Sequence, residues 1–317
     1  MEKRQLGNSG LQVSQLAFGG NVFGWTIDEA ASFILLDQFV AAGFNFIDTA
    51  DVYSRWKEGN HGGESETILG KWMKQRGNRN QVIIATKVGG DMGEGKNLNR
   101  EYIFRAAEAS LKRLQTDYID LYQSHFDDLS QPVEEIIDAL VELVKQGKVR
   151  AIGASNLSQE RLRRSVEYSE HYGLPRYETL QPLYNLYDRE FFEKEYQAYC
   201  LEKNIGVINY YSLASGFLTG KYRSEHDLSK SARGGGNKKY MNERGFAILK
   251  ALDAVAERYG SNPATVSIAW LLAQPAITAP IASATNKQQL EDLMNVVKID
   301  LDLEAIQLLN DASKWDR

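Results

Sequence analysis

Three apolar runs of this chain each end in a residue that could act on a carbonyl group. The run FNFID ends at Asp48, VIIATK ends at Lys87, and YIDLYQSH ends at His125. Tyr53 follows five residues after Asp48. A carboxylate beside an ammonium keeps both groups charged, and the ammonium favours the phenolate form of a neighbouring tyrosine. Together the four residues could supply a proton to a carbonyl oxygen that is becoming an alkoxide.

Each of these residues has a simpler explanation when it is taken alone. An aspartate at a strand end commonly serves a turn, a lysine commonly faces solvent, and a histidine is commonly a structural group. Their joint position at strand ends carries the argument for a site. The set contains no reductant, and no metal-site spacing connects the four histidines at positions 61, 125, 171 and 226. We therefore expect a hydride-donating cofactor and no metal.

Short apolar runs alternate with longer amphipathic segments, which predicts repeated strand-helix units. The candidate strands cover residues 16–20, 44–48, 82–87, 118–125, 149–155, 178–181, 206–210 and 277–283. The candidate helices cover residues 28–43, 64–75, 99–115, 132–148, 158–173, 188–204, 246–259 and 263–274. The interval between the last two strands is the longest, and its Gly/Lys/Arg-rich stretch 231–245 reads as an inserted loop.

Eight such units favour an α/β fold, a (β/α)₈ TIM barrel in which residues 1–317 form a single domain. Parallel strands need helical crossovers, and eight of them close without an edge. A doubly wound open sheet is the alternative, but GGNVFG and GGDMGEG lack the spacing of a dinucleotide-binding glycine motif. The opening segment RQLGNSGLQV has the turn residues of a β-hairpin and could plug one end of the barrel. In such barrels the catalytic groups come from the carboxyl ends of the strands.

Composition limits the classes of partner. The formal net charge is −5 without a basic block, so nucleic acid is not expected. No window approaches the ~20 apolar residues of a membrane-spanning helix, and no leader-like apolar stretch follows the N-terminal charges. The single cysteine, Cys200, indicates a reducing compartment. We expect a cytoplasmic protein that acts on a small molecule, and no pattern indicates an oligomeric state.

Six motifs, in this order along the chain, resemble those of the aldo-keto reductases. They are FIDTADVYS (46–54), ATKVG (85–89), YIDLYQSH (118–125), GASN (153–156), TLQPLYN (179–185) and INYYSLASGFLTGKY (208–222). The resemblance runs from the N-terminal hairpin to about Asp292. It implies a barrel that binds NADPH at its C-terminal mouth and reduces an aldehyde or ketone by hydride transfer.

The resemblance also implies roles for individual residues. The family's catalytic tetrad matches the four residues above, with Tyr53 as the proton donor. The nicotinamide would stack on a tyrosine and bind three amide or hydroxyl side chains, and the pyrophosphate would run along the segment that follows. The residues implied for catalysis are Asp48, Tyr53, Lys87 and His125, and those implied for the cofactor are Ser155, Asn156, Gln181, Tyr210, Leu213, Ser215 and Lys221.

Several of these positions allow other interpretations. Ser155 or Asn156 could cap the following helix, and Tyr210 could be a core aromatic. Tyr211 is a rival for the stacking role because the two tyrosines are adjacent. Asp51 is interpreted as a turn residue, with contact to a ribose hydroxyl as a second possibility.

The glycine-rich stretch suggests either a flexible linker or a lid that closes over the cofactor. As a lid, it would turn the basic residues Arg233, Lys238 and Lys239 toward phosphate.

Cofactor preference depends on the segment ITAPIASATNKQQLEDL (277–293). NADPH-preferring relatives often carry a basic residue near the positions of Ser283, Thr285 and Gln289, which we also place among the cofactor contacts. A basic residue binds the 2′-phosphate by charge-assisted hydrogen bonds. Its absence argues against a strict preference for NADPH, although Lys287 or the basic lid could compensate. We expect NADPH as the cofactor, with NADH also accepted.

Substrate contacts are expected from the loops above the mouth, at Trp25, Arg55, Trp56 and Phe126, and from the C-terminal tail. Aromatic side chains there favour a hydrophobic or sugar-like carbonyl compound, and Arg55 would tolerate an anionic one, although each could equally be surface packing. A cofactor-binding, channel-associated regulator is the rival function, and the complete tetrad favours an enzyme over it. A barrel hydrolase would need paired carboxylates or a metal at the mouth.

Overall fold

A computed structural model describes residues 2–231 and 234–315. Within this part, eight parallel strands form one sheet in the order β10-β3-β4-β5-β6-β7-β8-β9, and an antiparallel hairpin precedes it. The hairpin strands are β1 (Lys3–Gln5) and β2 (Gln12–Ser14). The sheet strands are β3 (Ala17–Gly19), β4 (Phe46–Asp48), β5 (Ile83–Val88), β6 (Ile119–Ser124), β7 (Val149–Ser155), β8 (Tyr177–Gln181), β9 (Gly206–Val207) and β10 (Ile281–Ala282).

The sheet closes into a barrel between β9 and the residues that lead into β10. The Thr278 N–H donates to the Val207 carbonyl at 2.9 Å, and the Ile281 N–H donates to the Asn209 carbonyl at 3.0 Å. Closure leaves the sheet without a free edge. The predicted (β/α)₈ barrel is confirmed, and the doubly wound open sheet is wrong.

Helices cover the outside of the barrel. Several begin at a cap residue: Asp28, Asn99 and Ser158 each accept a hydrogen bond from a backbone N–H in the first turn. The helices are α1 (Glu29–Ala41), α2 (Glu64–Arg76), α3 (Arg100–Leu114), α4 (Val133–Lys145), α5 (Gln159–Tyr172), α6 (Glu190–Glu195), α7 (Gln197–Glu202), α8 (Glu243–Arg258), α9 (Pro263–Leu272), α10 (Lys287–Met294) and α11 (Leu303–Ala312). No helix in the described ranges is long and apolar enough to cross a membrane.

Alternation along the strands divides the apolar residues between two clusters. Phe46 packs in a small cluster inside the barrel, whereas its neighbour Ile47 joins the large cluster between the sheet and the helices. Leu6, Leu11 and Val13 from the hairpin belong to the inner cluster. The hairpin therefore plugs the N-terminal end of the barrel, as the sequence suggested, and the C-terminal end is left for chemistry.

Several predicted elements are shorter or more broken than expected. The predicted strand 206–210 is reduced to β9, and the predicted strand 44–48 is reduced to β4. The predicted helix 188–204 divides into α6 and α7 at Tyr196, whose hydroxyl donates to the Leu157 carbonyl at 2.7 Å. The predicted strand 277–283 is reduced to β10, because Pro280 has no N–H to donate to a neighbouring strand.

The C-terminal part of the chain was wrongly placed by the sequence interpretation. Helices α10 and α11 were not predicted, although Asn286 and Asp302 cap them. Helix α11 packs against α8, and Arg258 of α8 forms ion pairs with Asp302 and Glu304. The described tail therefore lies in the outer helical layer and does not supply the substrate contacts that were expected of it.

The segment after β9 folds into short 3₁₀ turns, at Ala214–Thr219, Glu225–Lys230 and Gly234–Tyr240. Lys238 approaches Glu225 at 3.5 Å, and the Lys239 ammonium lies over the Tyr240 ring. Neither lysine lines the cleft described below, so the prediction that they face phosphate is wrong. Arg233, the third basic residue of that prediction, lies outside the described residues.

Candidate active site

Strand register brings the predicted catalytic residues to one end of the barrel. Asp48 lies opposite Ala85 in the pairing of β4 with β5, so Lys87 lies two residues farther along β5 on the same face. Across the next pairings, Lys87 lies opposite Gln123 and Ser155 lies opposite Gln181. These side chains therefore converge at the carboxyl ends of the strands.

A buried ion pair lies at the centre of this group. The Lys87 Nζ is 2.8 Å from Asp48 Oδ2, and both side chains are almost fully buried. The ammonium also donates to the Thr49 carbonyl at 2.8 Å. Burial lowers the pKa of Lys87, and the Asp48 carboxylate opposes this shift. Because the ammonium has three protein acceptors, counting the Tyr53 hydroxyl, its position is tightly fixed.

Tyr53 joins the ion pair from the loop after β4. Lys87 Nζ donates to Tyr53 Oη at 2.7 Å, and the same hydroxyl donates to Asp48 Oδ2 at 3.1 Å. The Lys87 ammonium also lies 4.4 Å from the centroid of the Tyr53 ring. A phenol that accepts from an ammonium can release its proton more readily, because the positive charge stabilises the phenolate.

His125 lines the cleft beside Tyr53, with 6.0 Å between the ring centroids. Burial, followed by the charges of Lys87 and Lys96, holds the pKa of His125 well below its usual range. The imidazole is therefore neutral near pH 7. Its Nδ1 is buried without a hydrogen-bond partner in the described part of the chain.

A cleft of about 1460 Å³ opens at this end of the barrel. Asp48, Tyr53 and His125 line it, whereas Lys87 lies behind them, fully buried. Every predicted cofactor residue lines the cleft, namely Ser155, Asn156, Gln181, Tyr210, Leu213, Ser215, Lys221, Ser283, Thr285 and Gln289. No group of three or more His, Cys, Asp or Glu side chains within residues 2–231 and 234–315 could hold a metal ion.

A chain of hydrogen bonds connects the polar residues next to His125. Tyr210 Oη donates to Asn156 Oδ1 at 3.0 Å, and Asn156 Nδ2 donates to the His125 carbonyl at 2.9 Å. Gln181 Nε2 donates to Asp48 Oδ1 at 2.9 Å. The cap of α5 is Ser158, so the interpretation of Ser155 or Asn156 as helix caps is wrong. The amide and hydroxyl groups are instead arranged around one wall of the cleft.

The wall continues through backbone of unusual conformation. Tyr211, Ala214 and Ser215 have positive φ angles of 55°, 46° and 55°, and Gly216 has a φ of 94°. Such strain in non-glycine residues is concentrated at functional sites. Successive backbone N–H groups in left-handed conformations can form a concave site for an anion. Ser215 and Gly216 line the cleft next to Lys221, which adds a positive charge.

The far end of the cleft contains residues that the sequence interpretation missed. Asn21 accepts a hydrogen bond from Ser283 Oγ at 2.7 Å, and Asn262 and Lys230 also line the cleft. Asn21 could have been found, since it follows the end of the first barrel strand by two residues. Lys230 could not, because its position depends on the fold of the 3₁₀ turns. Lys287 does not line the cleft, so the prediction that it compensates for a missing base is wrong.

Aromatic residues form the opposite end of the cleft. Trp56, Phe126 and Arg55 line the cleft as expected. Trp25 is not among the described lining residues; it packs edge-on against Trp56 with 5.4 Å between centroids. Phe126 stacks on the His125 ring at 4.5 Å. Trp25 therefore supports the wall formed by Trp56, and its contact with substrate stays a prediction.

Comparison with known proteins identifies the family of this chain. The model of the aldo/keto reductase family matches residues 15–314. The chain belongs to the aldo/keto reductase family. It is 36% identical to the uncharacterized oxidoreductase YrpG of Bacillus subtilis, with 98% of this chain and 95% of the relative covered. It is 35% identical to the aldo-keto reductase YhdN of the same organism (96% and 91% covered). It is also 32% identical to a probable voltage-gated potassium channel subunit beta of Arabidopsis thaliana (94% and 92% covered).

This aldo/keto reductase also has a buried carboxyl group without a hydrogen-bond partner, outside the network of Asp48 and Lys87. Asp51 is 2% exposed, and neither of its carboxyl oxygens has a hydrogen-bond partner in the described part of the chain. The Val52 amide lies close enough to favour the ionised form but not in hydrogen-bond geometry. Asp51 does not line the cleft. Asp51 lies in the turn after β4, as interpreted, although its carboxyl group makes no hydrogen bond there. Because it is buried and does not line the cleft, its interpretation as a ribose contact is wrong.

Burial, followed by the neighbouring Glu66 carboxylate, raises the pKa of Asp51 to about 8. The carboxyl group is therefore mostly protonated at pH 7 in the folded protein. The Arg113 guanidinium opposes the shift, but it is bound to Glu66 at 2.6 Å. The loop between Asp48 and Tyr53 thus contains a buried acid that is mostly neutral at pH 7.

We predict that Asp51 makes the folded protein less stable as pH rises. The pKa in the unfolded chain is about 3.9, so the folded state holds the extra proton between about pH 4 and pH 8, and ionisation there costs about 1.4 kcal/mol per pH unit. Replacing Asp51 by Asn removes this pH-dependent contribution to the free energy of unfolding. The free energy of unfolding of Asp51→Asn, measured by urea denaturation, should therefore rise relative to wild type as pH increases from 5 to 8.

The matched control is Asp117→Asn, since Asp117 is exposed. Its difference from wild type should stay nearly constant over the same pH range. Parallel curves for Asp51→Asn and wild type would show that the Asp51 carboxyl group is ionised in the folded protein.

Proposed function

We propose that this aldo/keto reductase reduces the carbonyl group of a small aldehyde or ketone to an alcohol, using a reduced nicotinamide cofactor and Tyr53 as the proton donor. The whole chain acts as one barrel domain. The observation that carries the proposal is the Tyr53 hydroxyl at 2.7 Å from the Lys87 ammonium, at the wall of a large cleft. An acid in this position can protonate an oxygen that gains negative charge.

The cleft fits a nicotinamide dinucleotide in extended form. The amide and hydroxyl groups of Ser155, Asn156 and Gln181 are complementary to a carboxamide, and the Tyr210 ring offers a flat face beside them. The left-handed backbone at Ser215 and Gly216, next to Lys221, suits a pyrophosphate. When bound, this cofactor supplies the hydride that reaches the carbonyl carbon.

The protein's own groups supply the proton and the orientation. The neutral His125 donates a hydrogen bond to the substrate carbonyl oxygen and holds it near Tyr53. As the carbon gains the hydride, the carbon-oxygen π bond breaks, and the oxygen takes the proton from Tyr53 Oη. The phenolate that remains is stabilised by the Lys87 ammonium, whose charge is fixed by Asp48. Solvent at the open cleft then reprotonates Tyr53.

A regulatory role is the second candidate function. It is considered because one relative is named a probable voltage-gated potassium channel subunit beta. A regulator of this kind would bind the cofactor and oxidise it very slowly. The complete set of Asp48, Tyr53, Lys87 and His125 favours catalysis. Oxidation of reduced cofactor with a panel of carbonyl compounds distinguishes the two functions.

We predict that Tyr53→Phe loses carbonyl reduction and keeps cofactor binding. Loss of the general acid should lower kcat by roughly 10²- to 10⁴-fold. The cofactor contacts lie mainly on other strands, so the Kd of NADPH, measured by fluorescence titration, should change less than threefold. Tyr172→Phe, which changes an exposed tyrosine on α5, is the control and should behave as wild type. Unchanged turnover in Tyr53→Phe would refute the assignment.

We further predict that the enzyme uses NADPH and accepts NADH. Ser283, Thr285 and Gln289 are uncharged, and Thr285 and Gln289 are already hydrogen-bonded to each other at 3.0 Å. Two of the lysines that line the cleft, Lys221 and Lys230, lie on the segment after β9 and can attract phosphate in general. Paired titrations should give Kd values for the two cofactors within about tenfold, which corresponds to about 1.4 kcal/mol. Much tighter binding of NADH would contradict the preference.

A further inference from the structure

The aromatic end of the cleft carries a positive charge that the reaction does not use. Lys96 lines the cleft, and its ammonium lies 4.2 Å from the centroid of the Phe126 ring. Phe126 in turn stacks on His125 at 4.5 Å, with 17° between the ring planes. The ammonium is near enough to His125 to contribute to the lowered pKa of that imidazole. Lys96 is therefore separated by one aromatic ring from the group that would orient the carbonyl oxygen.

The acidic residues nearest in sequence to Lys96 are engaged elsewhere. Glu94 forms an ion pair with Arg105 at 2.7 Å. Asp91 accepts hydrogen bonds from the Gly93 and Gly95 amides at 2.7 Å and 3.0 Å. Among the described residues, no carboxylate forms an ion pair with Lys96. A cation over an aromatic face remains available to an anion that approaches from the cleft.

Arg55 adds a second cation to the same rim. Its Nη1 donates to the Asp91 carbonyl oxygen at 2.6 Å and lies 3.9 Å from the Asp91 carboxylate. The guanidinium is thereby held against the loop that carries Lys96, and both residues line the cleft. Asp91 opposes part of this charge, and His61 is the other titratable residue of the rim. With Asp48 and Lys87 neutralising each other below, the aromatic end is positive overall.

We propose that Lys96, with Arg55, forms an anion-binding rim that selects carbonyl compounds carrying a carboxylate or phosphate on a flat apolar framework. This inference rests on the proposed function and specifies its substrate class. Trp56, Phe126 and the Tyr53 ring provide the flat apolar walls, and the rim binds the anionic group at the open side. The carbonyl group is then directed inward, toward His125 and Tyr53.

The test compares two aldehydes of the same shape that differ in charge, 4-carboxybenzaldehyde and 4-formylbenzamide. With saturating NADPH and low salt, wild type should show a kcat/KM roughly five- to tenfold higher for the carboxylate, as expected for a partly exposed charge pair. The ratio should fall as salt is added, because salt screens exposed charges. Lys96→Met should bring the ratio close to one, and Lys96→Arg should preserve it.

Lys57→Met is the matched control, since Lys57 is an exposed lysine on the loop after Tyr53 that does not line the cleft. This variant should keep the wild-type ratio. The proposed rim would be contradicted if Lys96→Met kept the wild-type ratio of the two kcat/KM values, or if that ratio were near one in wild type. If neither aldehyde is reduced, the proposed function is refuted. Calorimetric binding of the two aldehydes then tests the anion-binding rim independently of turnover. Tighter binding of the carboxylate that Lys96→Met abolishes supports the rim, and equal binding refutes it.

Discussion

The ion pair between Asp48 and Lys87 is the interaction on which the site depends. Two charges buried at the end of a barrel are costly unless each is paired and hydrogen-bonded. Asp48 meets this requirement through Lys87, Tyr53 and Gln181, and Lys87 meets it through Asp48, Tyr53 and the Thr49 carbonyl. The position of the Tyr53 hydroxyl is thus a consequence of satisfying two buried charges. Removal of either partner would leave the other without compensation, at a cost of about 3–5 kcal/mol.

The same pair also divides the cleft into two ends of different character. On one side, Gln181 connects Asp48 to the amide and hydroxyl groups around Asn156 and Tyr210, and the wall then continues into left-handed backbone. On the other side, Tyr53 and His125 lead to aromatic residues and to the cations at the rim. A polar end that suits a dinucleotide and an aromatic end that suits a substrate therefore meet at the proton donor.

The features that follow from local periodicity were predictable from the sequence. A strand alternates its side chains, so Phe46 and Asp48 had to share the inner face, and parallel register then brought Lys87 beside Asp48. The hairpin was predictable from its turn residues. The bounds of β10 were harder to predict. Pro280 is visible in the sequence, but strand pairing depends on partners that are distant along the chain.

Features that depend on tertiary packing were missed. Lys96 belongs to a loop, and only the folded structure places its ammonium over Phe126. The sequence places Asp51 in a turn, but its burial could not be predicted locally because it depends on α2 and α3, which supply Glu66 and Arg113. Lys238 and Lys239 looked suited to phosphate by charge alone, yet the 3₁₀ turns direct them away from the cleft.

The central claim is that Lys87 acts on the reaction through Tyr53. A double-mutant cycle of Tyr53→Phe and Lys87→Met tests it most directly, with hydride transfer followed in single turnovers by cofactor absorbance and folding checked by cofactor binding. If Lys87 acts through the phenol, the double variant should be no slower than Tyr53→Phe alone, because residues that act as a unit are non-additive. Losses that multiply in the double variant would show that Lys87 contributes independently and would contradict this account.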